Sequence, residues 1–169
     1  MGVPVVDPHR SSRLLRAAAS FVRSPAGRWF AMHVSAHVDP VLLKVTGGRV
    51  STFGTAPIVN LTVPGRKSGE PRSAALLYFN EGDEVILIAS SFGREKHPGW
   101  YYNVKAHPQV TLTAGGATEP YVAREVTDPE EREKLYALAN LLYPGYAEYE
   151  VTAGAAGRTI PVLALKAAA

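Results

Sequence analysis

From Val59 to Val126 the chain is a succession of short apolar runs separated by turns, with no regular alternation of strands and long helices. Val59, Leu61 and Val63 alternate with Asn60 and Thr62, and Ala74 to Phe79 is a fuller apolar run. Asn80-Glu81-Gly82-Asp83 reads as a hairpin turn, with Glu84 to Ser90 as the returning strand. Gln109 to Ala114 and Pro120 to Val126 pair around Gly115-Gly116, and Ile160 to Leu165 is a final strand. This pattern argues against a doubly wound parallel sheet. It predicts a mainly β, α+β chain built on an antiparallel barrel with added helices.

The helices are expected at the beginning and between the strands. Residues 1–50 read as a helical N-terminal extension and residues 51–169 as the barrel domain. Ser11 or Ser12 can cap a first helix in which Leu14, Ala18 and Phe21 recur at helical spacing, widened by Leu15 and Val22. Pro25 and Gly27 interrupt it, and a second segment runs from Trp29 to Val38. Asp39-Pro40 is expected to cap a short helix ending at Gly47-Gly48. Pro98 to Ala106 reads as a short helix closed by His107-Pro108, and Asp128 with Glu131 forms a capping box for another.

Composition narrows the function. A net charge of +3 over 169 residues does not imply a nucleic-acid partner. The chain has no cysteine, which removes disulfides, thiolate ligands and a cysteine nucleophile. No apolar run approaches the ~20 residues that span a bilayer. The start lacks a signal-type apolar core, so a cytoplasmic location is expected.

Chemistry concentrates between Leu61 and Asn103. Arg66, Lys67 and Arg72 sit on one turn and the strand leaving it, and guanidinium and ammonium groups suit phosphate. Ser68 and Gly69 can bring backbone N–H groups to an anion. A polar hairpin whose cations face only water fits the same residues. A second basic loop, Arg94 to His97, follows the next strand. Trp100, Tyr101 and Tyr102 read as core aromatics or as a cofactor wall. No metal site is expected, because His97 has no second ligand at suitable spacing and His33/His37 have no third. Tyr143, Tyr146 and Tyr149 recur every three residues and suit either a pocket wall or a core cluster. Ser90-Ser91-Phe92-Gly93 is not a nucleophile elbow.

Several of these motifs together resemble the deazaflavin-dependent nitroreductase and quinone reductase family, which uses the 5-deazaflavin coenzyme F-420. The matching stretches are Gly65 to Gly69, Pro71-Arg72-Ser73, Ser90 to Gly93, His97 to Asn103, His107-Pro108, Tyr143 to Tyr146 with Tyr149, and Arg158 to Val162. The resemblance implies a split β-barrel of the FMN-binding type. It implies that Arg66, Lys67, Ser68 and Arg72 hold the coenzyme's phosphate and glutamyl tail. Ala74, Ala75 and Leu76 would lie along the ring, with Ser90 near its reacting edge beside Ser91 and Gly93. Lys96, His97, Pro98 and Trp100 would form a second wall. Phe92, Tyr143, Tyr146 and Tyr149 would border the acceptor, with Tyr146 as proton donor. Phe92 departs from the small or polar residue usual in the family, and residues 152–157 are less polar than usual.

The implied activity is hydride transfer from reduced F-420 to a quinone, an activated alkene (enone) or a nitroaromatic. Two other functions fit the same barrel: an FMN oxidoreductase, and a non-catalytic carrier of F-420 or an apolar ligand. Arg13, Arg16 and Arg23 border the first helix, which suits either peripheral contact with the inner face of an anionic membrane or packing on the barrel or on a dimer partner. Related barrels make a homodimer an expectation.

Overall fold

The computed structural model describes residues 2–10, 13–54 and 56–168, leaving aside the side chains of residues 13–16 and 18. The strands are β1 Ile58–Pro64, β2 Pro71–Glu81, β3 Glu84–Ile88, β4 Gln109–Ala114, β5 Ala117–Glu125 and β6 Val162–Ala167. They close into an antiparallel barrel in the order β1-β2-β3-β6-β5-β4, with β4 returning to β1 through Asn60↔Thr113 and Leu61↔Leu112. Closure gives every strand two neighbours, which limits edge-to-edge association, although residues 71–77 of β2 pair with β1 alone. The β4–β5 hairpin turns on Gly115 and Gly116, both at positive φ as a two-residue turn of this kind requires.

Two apolar cores follow from the alternation. Val59, Leu61, Val63, Leu87, Leu112 and Leu165 fill the barrel. Phe79, Ile86, Ile88, Val162 and Ala164 belong to an outer core with Leu135, Tyr136, Ala139 and Tyr146. The last four come from α5 Pro129–Leu142 and α6 Gly145–Ala155. Strands β3 and β6 are therefore covered on both faces, which is why their sequences read as continuous apolar runs. Each fully buried Leu or Ile contributes about 1.5–3 kcal/mol.

The N-terminal residues differ from a simple helical extension. Ahead of α1 Arg13–Arg23, residues 2–6 form a non-helical strap, followed by a turn in which Arg10 N donates to Asp7 O. Val6 and Asn80 exchange two 2.9 Å hydrogen bonds, the Tyr78 hydroxyl donates to Pro4 O, and Val3 is buried with the barrel interior. The expected cap at Ser11 or Ser12, and the contribution of Leu14, Leu15 and Ala18 to the stripe, lie outside the described residues. Phe21, expected on the buried stripe, is half exposed, whereas Ala19 is buried and Val22 packs inward with it.

Ser24 caps α2 Pro25–Phe30, its hydroxyl accepting from Gly27 N with Pro25 in the first turn. A π-helical turn, Ala31–Ser35, then leads into α3 Ala36–Thr46. The expected start at Asp39-Pro40 is therefore corrected: the helix runs through both residues. Proline normally breaks a helix by deleting a donor and crowding the preceding turn. Here tertiary hydrogen bonds hold the helix in place, because the buried Asp39 carboxylate accepts from Ser35 Oγ, Thr52 N and Thr52 Oγ1. Gly47, at φ 63°, ends α3. Gly48 passes so close to β4 that a Cβ there would lie 2.4 Å from Ala114 Cα.

Candidate active site

The Gly65–Glu70 turn closes with Gly65 N donating to Glu70 O and Gly69 N donating to Gly65 O. Arg66 is drawn toward α4 Gly99–Ala106 in two ways. Its backbone N donates to Asn103 Oδ1 at 3.1 Å, and its guanidinium lies 4.7 Å from the centroid of the Tyr102 ring. Arg66, Lys67, Ser68 and Arg72 thus face the first turn of α4 at Gly99 and Trp100 across an open cleft of about 430 Å³. The amides of a helix's first turn add to the attraction for an anion. Among the described residues Arg66, Lys67 and Arg72 form no ion pair, whereas Arg23, Lys105, Arg124, Arg132, Lys134 and Lys166 each have a carboxylate partner.

This cleft adjoins a second cavity, also about 430 Å³, with which it shares the lining residues Ser73, Ala74 and Trp100. Its walls are mostly apolar. Strand β2 supplies Ala74, Ala75, Leu76 and Leu77, and the loop after β3 supplies Ser90, Ser91 and Phe92. Pro98 and Trp100 close one side and Tyr143, Tyr146 and Tyr149 another. The helical segment roofs it with Ala19, Val22, Ala31, Ala36 and Asp39. Small alanines on facing walls leave a slot for a flat ring system. Glu148 of α6 pairs with Arg23 and Arg28, linking the roof to the tyrosine-bearing helix.

The loop after β3 is strained. Ser91 and Phe92 both adopt left-handed φ, 50° and 55°, although neither is glycine. Such residues persist only where the surroundings over-determine them, and they concentrate at functional sites. Phe92 packs edge-on to Tyr149, with centroids 5.9 Å apart. Gly93 is tight against Tyr149, where a Cβ would lie 3.1 Å from its Cα. Behind the loop, buried Arg158 donates to Ala89 O and Ser90 O and contacts His97 Nδ1 at 3.0 Å. Since a guanidinium can only donate, His97 Nδ1 is the acceptor and His97 is neutral. Desolvation, with Arg158 beside it, pushes the His97 pKa down.

The three tyrosines are buried, and burial raises the pKa of each phenol. Tyr143 and Tyr149 hydrogen-bond to each other, while Tyr146 receives the Tyr136 hydroxyl on its carbonyl. Tyr146 and Tyr149 lie on α6, one turn apart and facing inward with Ala153.

Of the residues singled out in the sequence, the structure gathers Arg66, Lys67, Ser68 and Arg72 at the cleft. It gathers Ala74, Ala75, Leu76, Ser90, Ser91, Phe92, Pro98, Trp100, Tyr143, Tyr146 and Tyr149 at the cavity. Lys96, His97 and Gly93 line neither; Arg94 lines the cavity instead. Asp39 was expected only as a helix cap and Arg158 only as part of a matching stretch, and neither was expected at the site. The Ser35/Asp39 spacing of one helical turn was the available signal for the first.

A family model described as F420H2-dependent quinone reductase matches residues 29–167. An F420H2-dependent quinone reductase of Mycobacterium tuberculosis is 30% identical over 146 residues, covering 82% of this chain and 95% of its own length. A solved F420-H2 dependent reductase is 41% identical with a TM-score of 0.58, over 65% of this chain and 94% of its own. A second solved chain, described as a domain-swapped dimer, is 34% identical with a TM-score of 0.61, over 85% of this chain and all of its own.

Proposed function

Because the chain belongs to the F420H2-dependent quinone reductase family, it is an oxidoreductase that uses reduced coenzyme F-420 to reduce a quinone, and we propose how its residues divide that work. The observation that carries the division is the adjacency of two unlike spaces, one lined by cations that form no ion pair among the described residues and the other mostly by apolar side chains. An elongated molecule with an anionic tail and a flat ring suits that adjacency.

Arg66, Lys67, Ser68 and Arg72 hold the phosphate and glutamyl tail by charge-assisted hydrogen bonds. Ala74, Ala75 and Leu76, with Pro98 and Trp100, would hold the ring. When bound in its reduced form, the coenzyme supplies a hydride. Ser90 and Ser91 fix the orientation of the reacting edge, and the apolar roof and walls exclude water from it. Phe92, Tyr143, Tyr146 and Tyr149 border the acceptor. Burial keeps the Tyr146 phenol neutral, so it would give its proton to the acceptor oxygen as negative charge develops there, and a proton from solvent would restore the phenol. Enones and nitroaromatics, flat acceptors of the same two electrons, fit the same slot and are proposed as further substrates.

Titration with F-420, followed by the coenzyme's fluorescence with FMN in parallel, tests this reading. Binding of F-420 and turnover with a quinone support it. FMN binding alone moves the chain to flavin chemistry, and F-420 binding without turnover over a quinone, enone and nitroaromatic panel makes it a carrier.

The helical roof also has an outer face. Val38, Val41 and Val45 form an exposed stripe on α3, and Trp29 and Phe21 are exposed nearby in sequence. No helix among the described residues is long and apolar enough to cross a membrane. We propose that this face of the N-terminal helical segment rests on an anionic bilayer, where quinones partition. Co-sedimentation with anionic vesicles, lost in a Val41→Glu/Val45→Glu variant, is the expected result; equal pelleting of both proteins removes the proposal. The likeness to a domain-swapped dimer supports a homodimer, to be read by light scattering.

A further inference from the structure

Arg158 is 8% exposed, and among the described residues its guanidinium has no carboxylate partner and its Nε no acceptor. A buried cation held only by neutral acceptors is costly, and a well-packed apolar side chain in its place is often at least as stable. What the charge does hold is specific. One terminal nitrogen donates to Ala89 O at 3.2 Å and reaches His97 Nδ1; the other donates to Ser90 O at 2.5 Å. Ser90 O also accepts from Gly93 N, so the guanidinium completes the coordination of the carbonyl on which the loop turns.

The next two residues are Ser91 and Phe92, which among the described residues are the non-glycine ones in left-handed backbone, and both line the apolar cavity. Arg158 itself does not line it. Its own position is set by the end of α6. Gly157, at φ 73°, lets Arg158 N donate back to Ala153 O in a Schellman-type closure. Arg158 therefore ties the end of the helix bearing Tyr146 and Tyr149 to the adjoining, serine-bearing loop.

We infer that Arg158 is a positioning residue for the reductive step: by gripping the carbonyls of Ala89 and Ser90 from behind, it holds Ser90, Ser91 and Phe92 in the conformation that sets the distance between coenzyme and acceptor. The inference rests on the functional reading above. The basic cleft lies elsewhere and supplies coenzyme affinity independently of Arg158. Loss of the clamp therefore acts on rate far more than on binding, since a displacement of about 1 Å at a reacting centre can cost about a hundredfold.

The test has two parts. In coenzyme-free protein, Arg158→Met should speed amide hydrogen exchange at Gly93 and Arg94 at least about tenfold while the β3–β6 ladder keeps its protection. With coenzyme, the same variant should bind F-420 within about threefold of the parent and transfer hydride about ten- to a hundredfold more slowly in single turnover. Arg158→Lys, which keeps the charge but not the fork, should fall between; it gives the same comparison if Arg158→Met loses the fold. Placing Ser91→Gly beneath Arg158→Met should shrink the rate loss, because glycine holds a left-handed φ without help. Unchanged exchange at Gly93 and Arg94, or equal losses of binding and rate, overturns the inference. A parent protein that binds no F-420 overturns the functional reading, and the inference falls with it.

Discussion

The hydroxyl oxygens of Tyr143 and Tyr149 lie 3.0 Å apart and bond to each other, leaving the Tyr146 hydroxyl without a hydrogen-bond partner among the described residues. All three rings line the apolar cavity. The pairing assigns different work to neighbours of one type. Two phenols satisfy each other and stiffen the wall, and the third keeps its donor for an incoming group.

Replacing Tyr146 by Phe should therefore lower turnover about ten- to a hundredfold with little change in F-420 affinity, the size seen when a single donor to a developing oxyanion is removed. Burial raises the Tyr146 pKa above its ordinary value near 10. Turnover should consequently show no loss from phenol ionisation between about pH 7 and 9. A steady decline over that range which Tyr146→Phe abolishes would assign the phenol a different role.

Lys67→Ala should weaken F-420 binding about tenfold or more, while turnover at saturating coenzyme stays within about twofold. Raising the salt concentration should narrow the difference between the two proteins, because this cleft is open to solvent. Fluorescence titration at two ionic strengths checks both statements, and equal affinity of parent and variant would remove the phosphate-site assignment.

Asp39→Ala strips the acceptor from Ser35 Oγ, Thr52 N and Thr52 Oγ1 at a buried position. The expected cost is about 2–4 kcal/mol, with Asp39→Asn costing less because its carbonyl oxygen can still take Thr52 N. For a domain of this length that corresponds to a fall in Tm of about 5–15 °C. Thermal unfolding of the two variants measures it; a negligible effect of Asp39→Ala would show that the helix crosses Pro40 without this anchor.

His97 gives a signed pH effect. Its pKa is lower in the fold than in the unfolded chain, chiefly by desolvation and then by Arg158, with Glu125 opposing. Tyr101 and Tyr102 pack against its ring. The unfolded chain therefore binds the proton first as pH falls. The stabilisation is full above about pH 6.5 and is lost as pH drops through the lowered folded value. Denaturant unfolding at pH 7.5 and pH 5 should show a smaller difference in His97→Gln than in the parent.

Much of the barrel was legible because its strands obey local rules. Val59, Leu61 and Val63 alternate, Gly82 and Gly115-Gly116 mark tight turns, and Asp128 caps α5 as its spacing with Glu131 predicted. The basic turn was legible from residue type alone. Helix α6 was not, since Gly145 and Gly154 are poor helix formers and the element is held by burial of Tyr146, Tyr149 and Ala153. The passage of α3 through Pro40 depends on Thr52, a contact no local pattern carries. The left-handed Ser91 and Phe92 likewise depend on distant groups, among them Arg158, 68 positions beyond Ser90.

The apolar cavity has two walls of unequal rigidity. On strand β2, Ala74, Ala75 and Leu76 are held in the ladder with β1, opposite Leu61, Asn60 and Val59, so they can change little without disturbing the barrel. Ala19, Val22, Ala31 and Ala36 sit on helices whose backbone bonds are satisfied within themselves. Mutational drift is cheap on that side. A lineage carrying this fold can keep its coenzyme while trading one oxidant for another, and directed evolution toward new acceptors has its natural starting library in the helical roof.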